Sequence, residues 1–146
     1  MQYKQNVKLK NISFAKVSLA FHSIRLVKFL TQSQPVKIIE WTGIQNGNKA
    51  HFKLWFFGWK NFKVMHEAYQ KSDNSLYFID RGIDLPLGIK SWEHQHIVKK
   101  EHEMVIIKDI INYSHSNRYI GFLLYPILIF PIIIRKILYK LYFFKS

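Results

Sequence analysis

The spacing of apolar residues divides the chain into a helical start, a long stretch of strands and a helical end. Between Phe14 and Leu30 apolar residues recur every three or four positions, which predicts one or two short helices over about residues 13–31. Before them, residues 2–9 alternate loosely between apolar and polar side chains and predict an edge strand. Pro35 ends the helical stretch, because the residue before a proline avoids the helical conformation.

The long middle stretch has a period of two, which is typical of strands with one apolar face. Its connections are short, so the strands are predicted to form an antiparallel meander. Asn46-Gly47 indicates a hairpin turn, because the central residues of such a turn take positive φ. The predicted strands of this stretch cover residues 36–41, 50–56, 62–68, 76–80, 90–99 and 104–113.

The last segment, residues 118–146, contains no acidic residue and is rich in Leu, Ile and Tyr, which favours a helix that covers the apolar face of the sheet. Its uncharged run of 16 residues, Tyr119–Ile134, would reach about 24 Å as a helix, less than the ~30 Å hydrocarbon core of a bilayer. Pro126 and Pro131 each remove a helical hydrogen bond and predict a kink. A transmembrane helix, and a helix that covers the sheet on one face and touches lipid on the other, stay open as alternatives.

No linker interrupts this order of elements, so residues 1–146 are predicted to form a single α+β domain. The predicted architecture is an antiparallel sheet of about six to seven strands with short helices near the N-terminus. The C-terminal helix covers residues 118–146.

Composition and charge restrict the classes of function. A hydrophobic share of 49% excludes intrinsic disorder, and the absence of Cys excludes a disulfide scaffold, a thiolate metal site and a Cys nucleophile. The net charge of +13 is uneven: residues 1–60 carry ten basic side chains and one acidic, while residues 118–146 carry five basic and none acidic. Such ends attract anionic membrane surfaces or nucleic acid. Since 18 of the 22 basic residues are Lys, whereas base and phosphate recognition favours Arg, no specific nucleic-acid partner is predicted.

One pair of histidines stands out as candidate chemistry. His94 and His96 lie two apart on a predicted strand, so both point to the same face as Trp92. If residues 100–101 form a two-residue turn, Trp92 faces Asp109 on the next strand, and Asp109 comes within side-chain reach of His94. A carboxylate on an apolar face needs a partner. The first interpretation is therefore a hydrogen bond to Asp109 from His94 or from the Trp92 indole that ties the two strands together.

Three other interpretations of the histidine pair stay open. It can anchor the polar end of a ligand in an apolar cavity. It can hold a metal ion with further ligands from His66, Glu67 or Asp109, although no metal or cofactor is predicted. It can serve acid–base catalysis, but no nucleophile or oxyanion group accompanies it, so no catalytic residue is predicted.

An aromatic group follows in the second strand of the meander and in the turn after it. Phe52 and Phe56 are predicted to point into the core. Trp55, Phe57 and Trp59 point outward and indicate contacts with a helix, an interface patch or anchors at a membrane surface.

Several short motifs recur in a fixed order over nearly the whole chain. They are Leu30-Thr31 with Pro35, Trp41-Thr42-Gly43, Phe78-Ile79-Asp80-x-Gly82, Leu85-Pro86-Leu87-Gly88, Trp92-x-His94-x-His96, Asp109-x-Ile111-x-Tyr113 and Ile120-Gly121. Together they resemble the START-like ligand-binding superfamily (the SRPBCC group, with polyketide cyclases and Bet v 1-type proteins), and within it the bacterial cell-division-inhibitor-like subgroup. The resemblance implies a helix-grip fold, in which a curved antiparallel sheet wraps a long C-terminal helix. It also implies an apolar cavity between them that binds a lipid-like or polycyclic molecule.

The predicted function is non-enzymatic binding of a hydrophobic or lipid-like small molecule in that cavity. Its predicted wall consists of Leu54, Phe56, Val64, Phe78, Trp92, Leu123, Leu124 and Ile127. Its predicted polar anchors are His94, Asp109 and Tyr113. The alternatives are a membrane-associated structural or regulatory protein, with an anionic membrane surface as partner, and a cyclase- or hydrolase-like enzyme that uses the same cavity. The predicted location is the cytoplasm, with attachment to the inner membrane left open.

Overall fold

The computed structural model describes residues 1–144, which form seven strands and four helices. The strands are β1 (Gln2–Lys10), β2 (Val36–Trp41), β3 (Lys49–Trp55), β4 (Trp59–Lys71), β5 (Ser75–Asp84), β6 (Ile89–Glu101) and β7 (Met104–His115). The helices are α1 (Phe14–Phe21), α2 (Ile24–Thr31), α3 (Arg118–Ile133) and α4 (Arg135–Phe144). The last two residues of the predicted C-terminal helix, 145 and 146, lie outside the described residues.

All seven strands belong to one antiparallel sheet with the order β1-β7-β6-β5-β4-β3-β2. Strands β2 to β7 follow one another as a meander, and β1 pairs with β7 at one edge. The helices cover one face of the sheet, which is called the inner face below. The predicted α+β helix-grip architecture is therefore confirmed.

The inner face carries two apolar clusters with a polar band between them. One cluster lies under α1, α2 and α4 and includes Val98 and Ile107, while the other lies under α3 and includes Trp92 and Ile111. Along β6 the order is Val98, two histidines, then Trp92; along β7 it is Ile107, Asp109, then Ile111. The apolar core is thus interrupted at the middle of the sheet by buried polar side chains.

The register between β6 and β7 differs from the predicted one. The turn consists of residues 102–103 instead of 100–101, so Trp92 faces Tyr113 and not Asp109. The observed register pairs Val98 with Ile107, both fully buried. The predicted register would have placed the charged Glu103 opposite Val98, which explains why the strands shift. The shift is even, so every side chain keeps its predicted face.

The Asn46-Gly47 turn is also different from the prediction of a tight hairpin. Residues 42–48 form a longer connection between β2 and β3, in which Gly47 has φ 84° and its N–H donates to the His66 carbonyl at 2.9 Å. Asn46 accepts a hydrogen bond from Tyr69 N–H at 2.8 Å. The connection therefore folds against β4, where a β-bulge interrupts the pairing with β5.

The C-terminal segment consists of two helical pieces. Asn117 caps α3, because its side chain accepts hydrogen bonds from the N–H groups of Tyr119 and Ile120. Pro126 and Pro131 both lie inside α3, and the helix is interrupted at Ile134 before α4 begins. Arg135, the first residue of α4, lines a cavity together with Asp80 and His94 of the polar band.

We expect the core cluster under α1 and α2 to be sensitive to loss of volume at Ile107. Because this side chain is fully buried, Ile107→Ala should reduce the free energy of unfolding by about 2–5 kcal/mol in urea denaturation followed by circular dichroism. Leu123→Ala is the control, since Leu123 is 75% exposed and its truncation should change stability by no more than about 0.5 kcal/mol. Equal losses in both variants would contradict this description of the core.

Candidate functional site

The polar band on the inner face begins with a row of three cross-strand partners. His66 on β4, Asp80 on β5 and His94 on β6 face one another directly. His66 Nε2 lies 3.0 Å from Asp80 Oδ1, and His94 Nδ1 lies 3.9 Å from Asp80 Oδ2. The other ring nitrogen of His66, Nδ1, is 3.1 Å from the carbonyl oxygen of Asn48. The row places one carboxylate between two buried imidazoles.

A second row continues the band toward the sheet edge. His96 on β6, Asp109 on β7 and Gln5 on β1 are again direct cross-strand partners. Gln5 donates through Nε2 to Asp109 Oδ2 at 3.1 Å and to the carbonyl of Ile132 at 2.7 Å. The N-terminal edge strand is thereby joined to the last turn of α3 through one side chain.

Short contacts along β6 connect the two rows. His94 donates through Nε2 to Asp109 Oδ1 at 2.8 Å, and His96 Nε2 lies 2.8 Å from Asp80 Oδ2. The two imidazole rings are 3.8 Å apart, and His96 stacks on Phe78 with the ring centres 4.4 Å apart. Each histidine therefore bridges both carboxylates.

Both carboxylates are held in the ionised form. Burial alone would raise the pKa of Asp109, but the hydrogen bond with His94 and the nearby positive charges, Arg135 among them, lower it to about 2. Burial likewise opposes ionisation of Asp80, yet the charge of His96 and the contacts with His66 and His96 lower its pKa well below the usual range. Two negative charges therefore lie in the middle of the sheet at neutral pH.

The pKa values of the two histidines in the first row shift in opposite directions. Burial, supported by the neighbouring His96, lowers the pKa of His94 to about 4 against the opposing effect of Asp109. Burial also acts against protonation of His66, but its contacts with Asp80 outweigh that effect and raise its pKa. At neutral pH His94 is a neutral imidazole, and because its Nε2 donates to Asp109, its Nδ1 carries a lone pair.

The first residues of α4 complete the electrostatics. Burial acts to lower the pKa of the Arg135 guanidinium, but Tyr139 and the two carboxylates outweigh this effect and raise it. Burial raises the pKa of Tyr139, so its hydroxyl is neutral. One cation thus approaches two anions from the helix side.

A cavity of about 200 Å³ lies between the sheet and α3 and ends on this polar band. Asp80, His94 and Arg135 lie at its polar end, which is called the floor below. The other lining residues are mostly apolar and come from the end of α2, β2, β3, β4, β6 and α3. Among the predicted wall residues, Leu54, Phe56, Val64, Trp92 and Ile127 line it. A second cavity of about 80 Å³, under α1 and α2, is lined by His66, Phe78 and His96, among others.

Five predicted wall or anchor residues lie elsewhere. Leu123 points outward and is 75% exposed, because the buried positions of α3 follow Gly121, Leu124 and Leu128 at helical spacing. Leu124 is buried in the core cluster under α3 without lining the large cavity. Phe78 lines only the smaller cavity of the two.

The two remaining corrections concern polar anchors. The Tyr113 hydroxyl donates to the carbonyl of Gly121 at 2.7 Å, so it holds the first turn of α3 instead of facing the cavity. Asp109 is fully buried behind His94 and does not line the large cavity. Its role is to orient the histidines, which agrees with the hydrogen bond predicted between Asp109 and His94.

Sequence reasoning did not name Asp80, Arg135 or Gln5 as site residues. Asp80 lies two residues after Phe78 on β5, so both side chains share the buried face of the strand. A carboxylate on a buried face needs a partner, and this is the signal that could have identified Asp80. Arg135 directly follows a 16-residue uncharged run, but its distance from the strands in sequence hides its neighbours. Gln5 carried no recognisable signal.

Comparison with solved structures assigns the fold. The chain is similar to norcoclaurine synthase from Thalictrum flavum in complex with dopamine and hydroxybenzaldehyde, with TM-score 0.65 and 11% identity over 100% of this chain and 88% of that one. The fold is the Bet v 1-like helix-grip fold. Two further similar structures are those of protein Ms6760 from Mycobacterium smegmatis (TM-score 0.66, 8% identity, 97% of this chain and 91% of that one) and major latex-like protein 151 from Panax ginseng (TM-score 0.54, 19% identity, 85% of this chain and 91% of that one). No family model and no curated protein matches the chain.

We expect His94 to make the Bet v 1-like domain less stable in mild acid. The unfolded His94 takes up a proton near its ordinary pKa of 6.5, whereas the folded one does so only at about 4. Between these values the unfolded chain binds more protons, so the free energy of unfolding falls as the pH falls, by up to about 1.4 kcal/mol per pH unit. His66 has a raised pKa, so its protonation stabilises the folded state. This contribution to the free energy of unfolding is lost when the pH rises through that pKa.

Urea denaturation of the wild type and of His94→Gln at several pH values, in the presence of EDTA, isolates this contribution. When the free energy of unfolding is plotted against pH, His94→Gln should lose the part of the slope that His94 contributes. The control His102→Gln, in the exposed turn between β6 and β7, should keep the wild-type slope. Asp109 contributes mainly below this range, because its carboxyl takes up a proton near the ordinary pKa of 3.8 in the unfolded chain and at about 2 in the folded one. A His94→Gln profile parallel to that of the wild type would show that His94 titrates normally.

Proposed function

We propose that the protein binds a hydrophobic or lipid-like small molecule, without catalysing a reaction on it, in the cavity between the sheet and α3. The observation that supports this proposal is a cavity of about 200 Å³ with mostly apolar walls and a buried polar floor. Small-molecule sites generally combine apolar walls with a few polar groups that set the orientation of the ligand. Membership of the cell-division-inhibitor-like subgroup and a cytoplasmic location belong to the same proposal and rest on the sequence motifs.

The size of the cavity restricts the ligand. It exceeds the roughly 150 Å³ that suffices for benzene in an engineered protein cavity, but lies below the roughly 300–1,000 Å³ of most ligand sites. One or two rings, or a short stretch of acyl chain, therefore fit inside. A longer ligand would extend past Trp55, Phe56 and Ile127, which line the same cavity while Trp55 and Ile127 are half exposed.

The polar floor gives such a ligand an orientation. Arg135 and His94 line the cavity next to Asp80, so a hydroxyl, carbonyl or carboxylate oxygen of the ligand finds its partners at this end. Covering about 300 Å² of apolar ligand surface would contribute roughly 7 kcal/mol before the costs of association. Apolar burial would supply the affinity and the floor would supply the orientation.

Filling the cavity should abolish binding. Val64 lines the cavity and is 2% exposed, so Val64→Phe should weaken binding of 2-naphthol at least about tenfold in calorimetric titration, because the new ring occupies the site. Met65→Phe is the matched control, since Met65 is the next residue on β4 and points to the other face. Equal affinities in the two variants, or no affinity for 2-naphthol in a wild type that also carries no bound molecule in native mass spectrometry, would exclude the proposal.

A second candidate function is attachment to an anionic membrane surface, and the outer face of α3 and α4 favours it. Together the two helices, Arg118–Phe144, are long and apolar enough to cross a membrane by length and composition, and 28% of their 18-residue apolar window is buried. Their outer face exposes apolar side chains next to basic ones, and residues 118–144 contain no acid. The exposed apolar residues are Tyr119, Ile120, Phe122, Leu123, Ile127, Phe130, Ile133, Ile137, Leu141 and Phe144. An apolar face with Lys and Arg beside it suits the interface of an anionic bilayer.

A charge placed on this outer face should prevent membrane binding. Leu123→Glu should reduce co-sedimentation with phosphatidylglycerol-containing vesicles several-fold, because it inserts a carboxylate where the lipid would be. Ile83→Glu, at a 47% exposed position on β5, changes the net charge equally and should keep most of the binding. Equal loss in both variants would indicate an effect of net charge alone, and a wild type that stays in the supernatant would exclude attachment.

A further inference from the structure

We propose that His94, His96 and Asp80 bind a divalent transition-metal ion, zinc by preference, at the floor of the cavity. The proposal concerns the polar band itself and holds whether or not the cavity also takes a hydrophobic molecule. Two imidazoles and one carboxylate form a ligand set that suits zinc and related divalent ions.

The three candidate ligand atoms already converge. Asp80 Oδ2 lies 2.8 Å from His96 Nε2 and 3.9 Å from His94 Nδ1, and one ligand atom from each residue lies within 4.8 Å of the other two. Ligands about 2.1 Å from a tetrahedral ion lie about 3.4 Å from each other. Small side-chain adjustments are therefore enough to enclose an ion between them.

The contact between His94 Nδ1 and Asp80 has no hydrogen when His94 is neutral, and Nδ1 of His96 has no hydrogen-bond partner among the described residues. His94 donates its Nε2 hydrogen to Asp109, so the lone pair of its Nδ1 faces the acceptor oxygen of Asp80. His96 Nδ1 is buried and has no hydrogen-bond partner among the described residues, although Asp109 Oδ1 lies 3.6 Å away. If His96 Nε2 binds the ion, Nδ1 carries the ring hydrogen and can donate it to Asp109. A single ion would thus resolve both contacts.

The residues behind the ligands have the arrangement that metal sites use. Metal-binding histidines commonly donate their second ring nitrogen to a carboxylate or a carbonyl, which fixes the ring. Asp109 lies behind both His94 and His96, and Gln5 in turn donates to Asp109. His66 Nε2 lies 3.0 Å from Asp80 Oδ1, which leaves Oδ2 for the ion.

The charge of the surroundings also suits a cation. Asp80 and Asp109 supply two negative charges in the buried band, and Arg135 supplies one positive charge. His66, which contacts Asp80, adds a second positive charge only when it is protonated. A divalent ion therefore meets two carboxylates and one permanent cation. Asp80 and His94 line the large cavity, so one coordination position of the ion would face the space in which a ligand oxygen could approach.

The test uses the untagged full chain, stripped with a chelator and titrated with ZnCl₂ in a calorimeter and with CoCl₂ in a spectrophotometer. We expect one equivalent of each ion to bind and cobalt to develop visible bands. Asp80→Asn and His96→Gln should weaken zinc binding by roughly 100-fold or more, and Asp109→Asn by roughly 10–100-fold as a residue behind the ligands. His102→Gln, which removes an exposed histidine, should leave the affinity unchanged.

A measurement on the wild type alone keeps the test decisive if a variant does not fold. In long-range ¹H–¹⁵N spectra, zinc should shift Nδ1 of His94 and Nε2 of His96, while the nitrogens of His51 and His102 stay in place. Absence of saturable zinc binding would overturn the proposal, and so would shifts confined to other histidines. Wild-type affinity in both Asp80→Asn and His96→Gln would also overturn it.

Discussion

The pairing of two carboxylates with buried imidazole and amide groups, close to the charge of one guanidinium, governs the arrangement of this protein. An ionised carboxylate without partners costs several kcal/mol in an apolar interior. Asp109 is fully buried and the Asp80 side chain is 18% exposed, yet both stay ionised because imidazole and amide groups from β4, β6 and β1 contact them. The sheet with its N-terminal edge strand must be in place for these contacts, and α4 adds the positive charge of Arg135.

This requirement explains why distant parts of the chain meet at the polar band. Gln5 joins β1 to Asp109 and to the carbonyl of Ile132 in the last turn of α3. α4 begins with Arg135, whose pKa the two carboxylates raise. The C-terminal helices therefore combine apolar coverage of the sheet with charge compensation.

The same two helices link the interior of the protein to its surface. Leu128 and Ile132 of α3 face the cavity, while Leu123 and Phe130 on the opposite side stay exposed. The aromatic residue Trp55 lines the cavity at its exposed end. A hydrophobic molecule that leaves an apolar surface would therefore meet apolar side chains from the mouth to the floor.

The amino-acid sequence by itself determined most of the local structure and the face of the residues on β6 and β7. Helical and strand periods and the common face of His94, His96 and Asp109 follow from spacing, and the face survives because the β6–β7 register shifted by an even number of residues. The tertiary structure decided the register itself, since burial of Val98 against Ile107 is a property of the assembled sheet. It also decided which side of α3 faces inward and which residues, Asp80 and Arg135, reach the histidines. Those neighbours depend on how strands and helices pack across long sequence separations, which spacing along the chain does not encode.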